Sequence, residues 1–331
     1  MTEVVDRTPD SLAPFEPLFV TLPLTPPLTP PAVDGPVGPG GADGGDGSGV
    51  PDVAPRRPFH RRHRVALIVV ATVVAVLAAG AGLFVYEWNH AGPHELSAST
   101  AYQRFRSGAT GQFTDPGKLR PHEGVYTYTG RAAEHLTLPP KAQVEGPSIP
   151  GTVTYRSDGC WILRLDYSDS HWQNSTYCPR NGNLVQVARA GWYRWNLVAL
   201  SIADTATYTC NHSEIAIPAV LHSGAQYSFS CTGTNKPLKM GPVTMTGTNE
   251  YMGVQTVKIA GTDVIALRFH EVTRFSGAQT GYNIADTWFS TVNGLPVRGT
   301  WKTVVTSPTF LGTSTLTGTG HYTLSSLTPR S

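Results

Sequence analysis

The chain has 331 residues, a formal net charge of +2 and only 15% charged side chains. A balance so near neutral excludes a protein that holds nucleic acid by bulk positive charge. That small net value also hides two segments of opposite sign. Residues 1–55 carry eight acidic side chains against Arg7 alone, and residues 56–64 then add five arginines.

The first 55 residues are poor in aromatics and rich in Pro, Gly and Asp, as in Gly38-Pro39-Gly40-Gly41-Ala42-Asp43-Gly44. Such a chain buries too little apolar surface to offset its ordering entropy, so a disordered acidic tail is expected. Leu24-Thr25-Pro26-Pro27 and Leu28-Thr29-Pro30-Pro31 repeat one unit. Its proline content favours polyproline II, a form that aromatic grooves bind, so the tail is a candidate recruiter of a cytosolic partner. Arg56, Arg57, Arg61, Arg62 and Arg64 follow, a basic cluster suited to anionic lipid headgroups.

Val65 to Tyr86 is an uninterrupted apolar run of 22 residues, with one threonine (Thr72) and no charge. At about 1.5 Å per residue it spans roughly the 30 Å hydrocarbon core of a bilayer. Arginines before the run place the N-terminus in the cytoplasm and all that follows outside, as an uncleaved single-pass signal anchor of the cell membrane. Residues 87–120 read as a tether. Within it Ala98, Ala101, Tyr102 and Phe105 recur at helical spacing behind the candidate caps Ser97 and Ser99.

From residue 121 onward, β-branched and aromatic residues alternate between closely spaced turn signals, the pattern of an all-β domain over 121–331. Asp158-Gly159 and Asn181-Gly182 are hairpin turn pairs. If Ser168-Asp169-Ser170 closes the next hairpin, Tyr167 faces His171. The same register then sets Trp161 opposite Tyr177 and Cys160 opposite Cys178. All four cysteines lie beyond the apolar run, and none forms a CxxC pair. Two disulfides in an oxidising compartment are therefore expected, Cys160–Cys178 from the register and Cys210–Cys231 by remainder. Further strands are expected at 227–232, 243–248, 255–260, 264–271, 287–291, 295–306 and 313–324, about ten to twelve in all, mostly in meander order.

Gln255-Thr256-Val257-Lys258-Ile259-Ala260-Gly261-Thr262 leads into Ala266-Leu267-Arg268-Phe269, followed by Asp286-Thr287-Trp288-Phe289-Ser290 and Asn293-Gly294-Leu295-Pro296-Val297-Arg298. This order, over about residues 251–301, resembles the LolA-like and LppX-like half-barrel proteins of bacterial envelopes. The resemblance implies a curved antiparallel sheet around an apolar cavity and a lipid or other apolar envelope ligand. A β-sandwich is the alternative architecture. Arg outnumbers Lys 19 to 6, a bias of high-GC bacteria such as actinobacteria.

The sequence carries no GxSxG, HExxH, P-loop or GxGxxG in a strand–helix context. No catalytic, cofactor-binding or metal-binding residue is assigned, and the chain is read as a non-enzyme. His171, His270 and His321 have no partner recognisable by spacing, and Asp158 and Asp169 are explained by their turns. The expected function is a membrane-anchored extracytoplasmic binding module for an apolar ligand. The alternative is a scaffold that engages an envelope protein or the cell wall.

Overall fold

The computed structural model describes residues 60–90, 92–108, 119–197, 200–236, 241–309 and 312–331, without the side chains of 60–69, 71, 89–90, 108, 200 and 212–213. The expected disordered tail therefore lies outside the described residues, as do Arg56 and Arg57 and the side chains of Arg61, Arg62 and Arg64. Every strand belongs to the unit Arg62–Ser331.

Two helices precede the strands, α1 (His60–His90) and α2 (Ala98–Gly108). α1 covers the apolar run, yet among the described residues no helix is long and apolar enough to cross a membrane. The expected single-pass anchor thus has no support in the structure.

α2 forms where the apolar spacing indicated. Ser97 caps it, its Oγ accepting the Thr100 N–H at 3.1 Å. Its buried stripe, Ala101 and Phe105, packs with Leu96 on Val125.

Thirteen strands follow among the described residues: β1 (Gly124–Thr137), β2 (Pro140–Glu145), β3 (Ser148–Tyr155), β4 (Trp161–Asp166), β5 (His171–Arg180), β6 (Asn183–Leu197), β7 (Leu200–Ile217), β8 (Gln226–Lys236), β9 (Val243–Ile259), β10 (Thr262–Gly277), β11 (Thr280–Ser290), β12 (Pro296–Thr309) and β13 (Gly312–Leu324). From β3 to β13 each strand pairs antiparallel with the next, and β13 returns to pair with β1 from Tyr128↔Leu324 to Leu136↔Leu316. All strands except β2 therefore make a closed barrel. This corrects the expected half-barrel and rules out the sandwich. First and last strands of matching length saturate each other's backbone groups, so closure removes the two unpaired edges a half-barrel would expose.

β2 pairs only with the outer half of β1, from Ala132↔Glu145 to Thr137↔Pro140, while β3 takes the inner half. The wall therefore has a seam where β2 has no backbone partner on its far side among the described residues. β2 is also inverted in polarity. Lys141, Gln143 and Glu145 are buried while Val144 is 48% exposed.

Hairpin register follows the sequence signals. Trp161 faces Tyr177 and Ile162 faces Thr176, with the Trp161 and Tyr177 rings 4.6 Å apart. Asn181-Gly182 turns β5 into β6 with both φ angles positive (50° and 80°), and Ala260-Gly261 does the same between β9 and β10. Gly318 and Gly320 meet a different need. A Cβ at either would come within 2.8 Å and 2.5 Å of the Trp301 ring, so their absence lets the indole lie flat on β13.

Aromatic and aliphatic residues fill one end of the barrel, among them Tyr126, Trp161, Tyr177, Phe269, Phe289, Leu295 and Val297. Trp161 donates its indole N–H to the Leu119 carbonyl at 3.0 Å, which holds the segment before β1 against this floor.

Candidate functional site: a polar lumen and a buried Glu–Glu–His cluster

Above the apolar floor the barrel encloses a cavity of about 300 Å³. Alternate positions of each strand reach it, as pleating requires. β4 supplies Leu163 and Leu165, the β4–β5 loop Tyr167, β5 Gln173 and Ser175, β6 Arg189 and Tyr193, β7 Asp204 and Tyr208, β10 Glu271, and β12 Trp301. Rings and aliphatic groups such as Leu316 and Val305 alternate with fixed polar groups, so the lumen is amphiphilic rather than wholly apolar.

Arg189 is its electrostatic centre. The guanidinium donates to both Glu271 oxygens, at 2.8 and 2.7 Å, and makes a very short contact to Glu214. Burial pushes the Glu214 carboxyl up to about 7 against the pull of Arg189. For Glu271, burial acts the same way but is outweighed by Arg189 and the Thr273 hydroxyl, so its pKa is lowered. The difference suits a cation shared unequally by two carboxylates. Asp204 is raised to about 6 by burial, with Asn235 opposing through a 3.0 Å hydrogen bond. The buried Asn235 Oδ1 makes no hydrogen bond among the described residues.

A second cluster packs inside the barrel at the β2 seam, against the lumen-lining rings of Tyr167 and Tyr193. Glu134 (β1), Glu145 (β2) and His171 (β5) are all buried, at 3%, 3% and 0% exposure. His171 Nδ1 lies 2.6 Å from Glu145 Oε2 and 3.4 Å from Glu134 Oε1. Gln143 Nε2 donates to the other Glu134 oxygen at 2.8 Å, and the Ser168 hydroxyl donates to the other Glu145 oxygen at 2.9 Å. Tyr167 and Tyr193 sandwich the imidazole with ring centroids 4.6 and 4.1 Å away. Burial pushes the Glu134 carboxyl up to about 7, with His171 opposing. The His171 imidazole is raised because the two carboxylates outweigh the opposing effect of its burial. Among the described residues this is the group of His, Cys and acidic side chains whose donor atoms converge, all within 4.8 Å of one another.

The expected disulfides are present, Cys160–Cys178 and Cys210–Cys231, and no cysteine is free. Both suit an oxidising, extracytoplasmic compartment. Asp158 caps its turn by accepting the Cys160 N–H at 3.2 Å. Asp169 accepts the His94 N–H at 2.9 Å, which ties the tether to the β4–β5 loop. His270 lies 3.4 Å from Asp286. His171, for which the sequence offers no identifiable partner, has two in the fold, Glu145 and Glu134. Its partners are 26 and 37 positions away and no spacing rule connects them. Inward-facing Gln143 and Glu145 on β2 were the one available signal, since a strand that buries its polar face needs partners for it.

No known protein family matches the chain, and no curated protein matches it. Among solved structures, a hypothetical lipoprotein, YmcC from Escherichia coli, aligns with 68% of this chain and 97% of its own length at 13% identity and a TM-score of 0.31. At that distance the likeness carries no argument about ligand or activity.

Proposed function

We propose that the barrel is a binding module for one small amphiphilic envelope molecule held in the lumen. The observation that carries this reading is the cavity itself, lined by tyrosines and Trp301 around a fixed Arg189. Its volume of about 300 Å³ is at the low end of small-molecule sites, about 300–1,000 Å³. One short acyl chain or ring system fits it; a multi-chain lipid does not. The apolar part would lie along Val305, Leu316 and the aromatic rings. The polar part would face Asp204 and the vacant acceptor of Asn235.

The protein works, on this proposal, outside the cell membrane on the Val65–Tyr86 helix, with residues 1–64 in the cytoplasm. Val73, Val74, Val76, Leu77, Leu83 and Phe84 are each at least half exposed, which favours a lipid surround for α1. Resistance to alkaline carbonate extraction, with residues 1–64 shielded from external protease, is the expected outcome for the anchor.

Native mass spectrometry of the full chain released from detergent tests the ligand. A bound species lost on denaturation, and depleted in a Trp301→Ala variant, is the expected result. A barrel that stays empty after incubation with envelope lipid extract refutes the reading and favours the protein or cell-wall scaffold. Turnover in esterase, amidase or glycosidase assays would refute the non-enzymatic part.

A further inference from the structure

The lumen and the seam each hold a pair of buried carboxylates on one shared partner, and they neutralise them differently. Glu214 and Glu271 share Arg189, a permanent cation. Glu134 and Glu145 have no Lys or Arg in an ion pair among the described residues; their shared neighbour is the His171 imidazole. Buried carboxylates without a counter-charge are costly, and proteins pair them or give them to metals.

The seam geometry is directional. In each carboxylate one oxygen is held by a neutral donor, Gln143 for Glu134 and Ser168 for Glu145. The other oxygen of each points at the same place as His171 Nδ1. Glu134 Oε1 is fully buried there and makes no hydrogen bond among the described residues. Two carboxylate oxygens and one imidazole nitrogen, backed by hydrogen bonds on their far atoms, are the outer-shell arrangement of a metal site. Ligand atoms of a zinc site stand roughly 3–3.5 Å apart at bond lengths of about 2.0–2.2 Å. The 3.4 Å separation of Nδ1 and Glu134 Oε1 already meets this, and the 2.6 Å separation from Glu145 Oε2 opens by under about 1 Å.

We propose that Glu134, Glu145 and His171 bind a divalent first-row transition ion, Zn²⁺ foremost, which staples β2 to β5 across the seam of the barrel. The three ligands come from β1, β2 and β5, and among the described residues β2 has no backbone partner on the β5 side, so the ion supplies the cross-link that the hydrogen-bond ladder leaves out. Binding through Nδ1 puts the imidazole proton on Nε2. There the Gln173 carboxamide, whose Nε2 is 3.2 Å away, turns to accept it through its oxygen. The inference does not depend on what the lumen holds.

The test is metal binding by the full chain in detergent after dialysis against a chelator. Zn²⁺ is titrated in competition with a chromophoric chelator, and content is read by elemental analysis. The wild type is expected to take one equivalent. Glu134→Gln and Glu145→Gln keep shape and hydrogen bonding, and each is expected to weaken binding at least 100-fold. His270→Ala, whose ring is outside the cluster, should bind as the wild type does. Zn²⁺ should raise the melting temperature of the wild type and not of the two Gln variants. Equal binding by the Gln variants overturns the assignment, and so does the absence of stoichiometric binding by the wild type. If a Gln variant does not fold, X-ray absorption on the Zn-loaded wild type decides. One nitrogen with carboxylate oxygens in the shell supports the site, and a shell without them overturns it.

Discussion

Replacing Arg189 with Met removes the cation from between two buried carboxylates while keeping most of the side chain's volume. Neither Glu214 nor Glu271 then has a counter-charge, so both must fold as neutral acids. Holding a carboxyl protonated at pH 7.5 when its unfolded value is 4.5 costs three units, about 4 kcal/mol. In the wild type Glu214 already carries part of that, since its value there is about 7, and Glu271 carries none because its value is lowered. The added cost of the variant is therefore about 4–5 kcal/mol at pH 7.5, in line with the roughly 3–5 kcal/mol typical of a broken buried pair.

The sign follows from the direction of the shifts. With Arg189 gone, both carboxyls have folded pKa values above their unfolded ones. Their contribution is then favourable below the unfolded value and is lost as pH rises. At pH 5 each protonation costs under about 1 kcal/mol, so the deficit of the variant should shrink to about 1 kcal/mol. Urea denaturation of the full chain, followed by tryptophan fluorescence at pH 5.0 and 7.5, reads both values. A triple variant that adds Glu214→Gln and Glu271→Gln should recover more than half of the loss at pH 7.5. A deficit that is equal at the two pH values, or no recovery in the triple variant, would refute the argument.

Asp204 is raised to about 6, so its burial favours folding below about pH 4 and opposes it progressively as pH rises through 6. Asp204→Asn should stabilise the barrel by about 1 kcal/mol at pH 7.5, after discounting for its partial exposure, and leave it unchanged at pH 4; chemical denaturation at the two pH values measures this. Replacing Cys210 and Cys231 with Ser opens a loop of sequence separation 21, a loss of about 3 kcal/mol on loop entropy, read as a lower urea midpoint with a slope that is steeper because the unfolded chain expands. Gly320→Ala drives a methyl group to 2.5 Å from the Trp301 ring. It should cost about 1–3 kcal/mol and shift Trp301 emission, while Gly92→Ala, with open space around it, should do neither.

Local features of the strands were legible because they obey short-range rules. Asn181-Gly182 and the Ser168–Ser170 loop set hairpin register, and that register carried Cys160 to Cys178 without any tertiary information. Ser97 and the Ala101/Phe105 stripe marked α2 for the same reason. The gap expected between strands 243–248 and 255–260 closes into the single strand β9. Gly253, at φ 110°, looks like a break but bends the strand at a register shift opposite Arg268/Phe269. β2 escaped notice because its buried residues, Lys141, Gln143 and Glu145, are the ones a hydrophobic pattern counts as solvent-facing.

By itself the sequence determined the all-β class, the hairpin registers, both disulfides and the cap of α2, since each depends on residues within one or two adjacent strands. It determined nothing about closure, because whether β1 meets β13 depends on the accumulated twist and stagger of every strand between them. Only the tertiary structure decided that the sheet closes around a lumen, that Arg189 lies between Glu214 and Glu271, and that Glu134, Glu145 and His171 converge at the seam. Those groups are brought together by the curvature of the whole sheet, and their mutual charges matter only once the barrel has removed them from water.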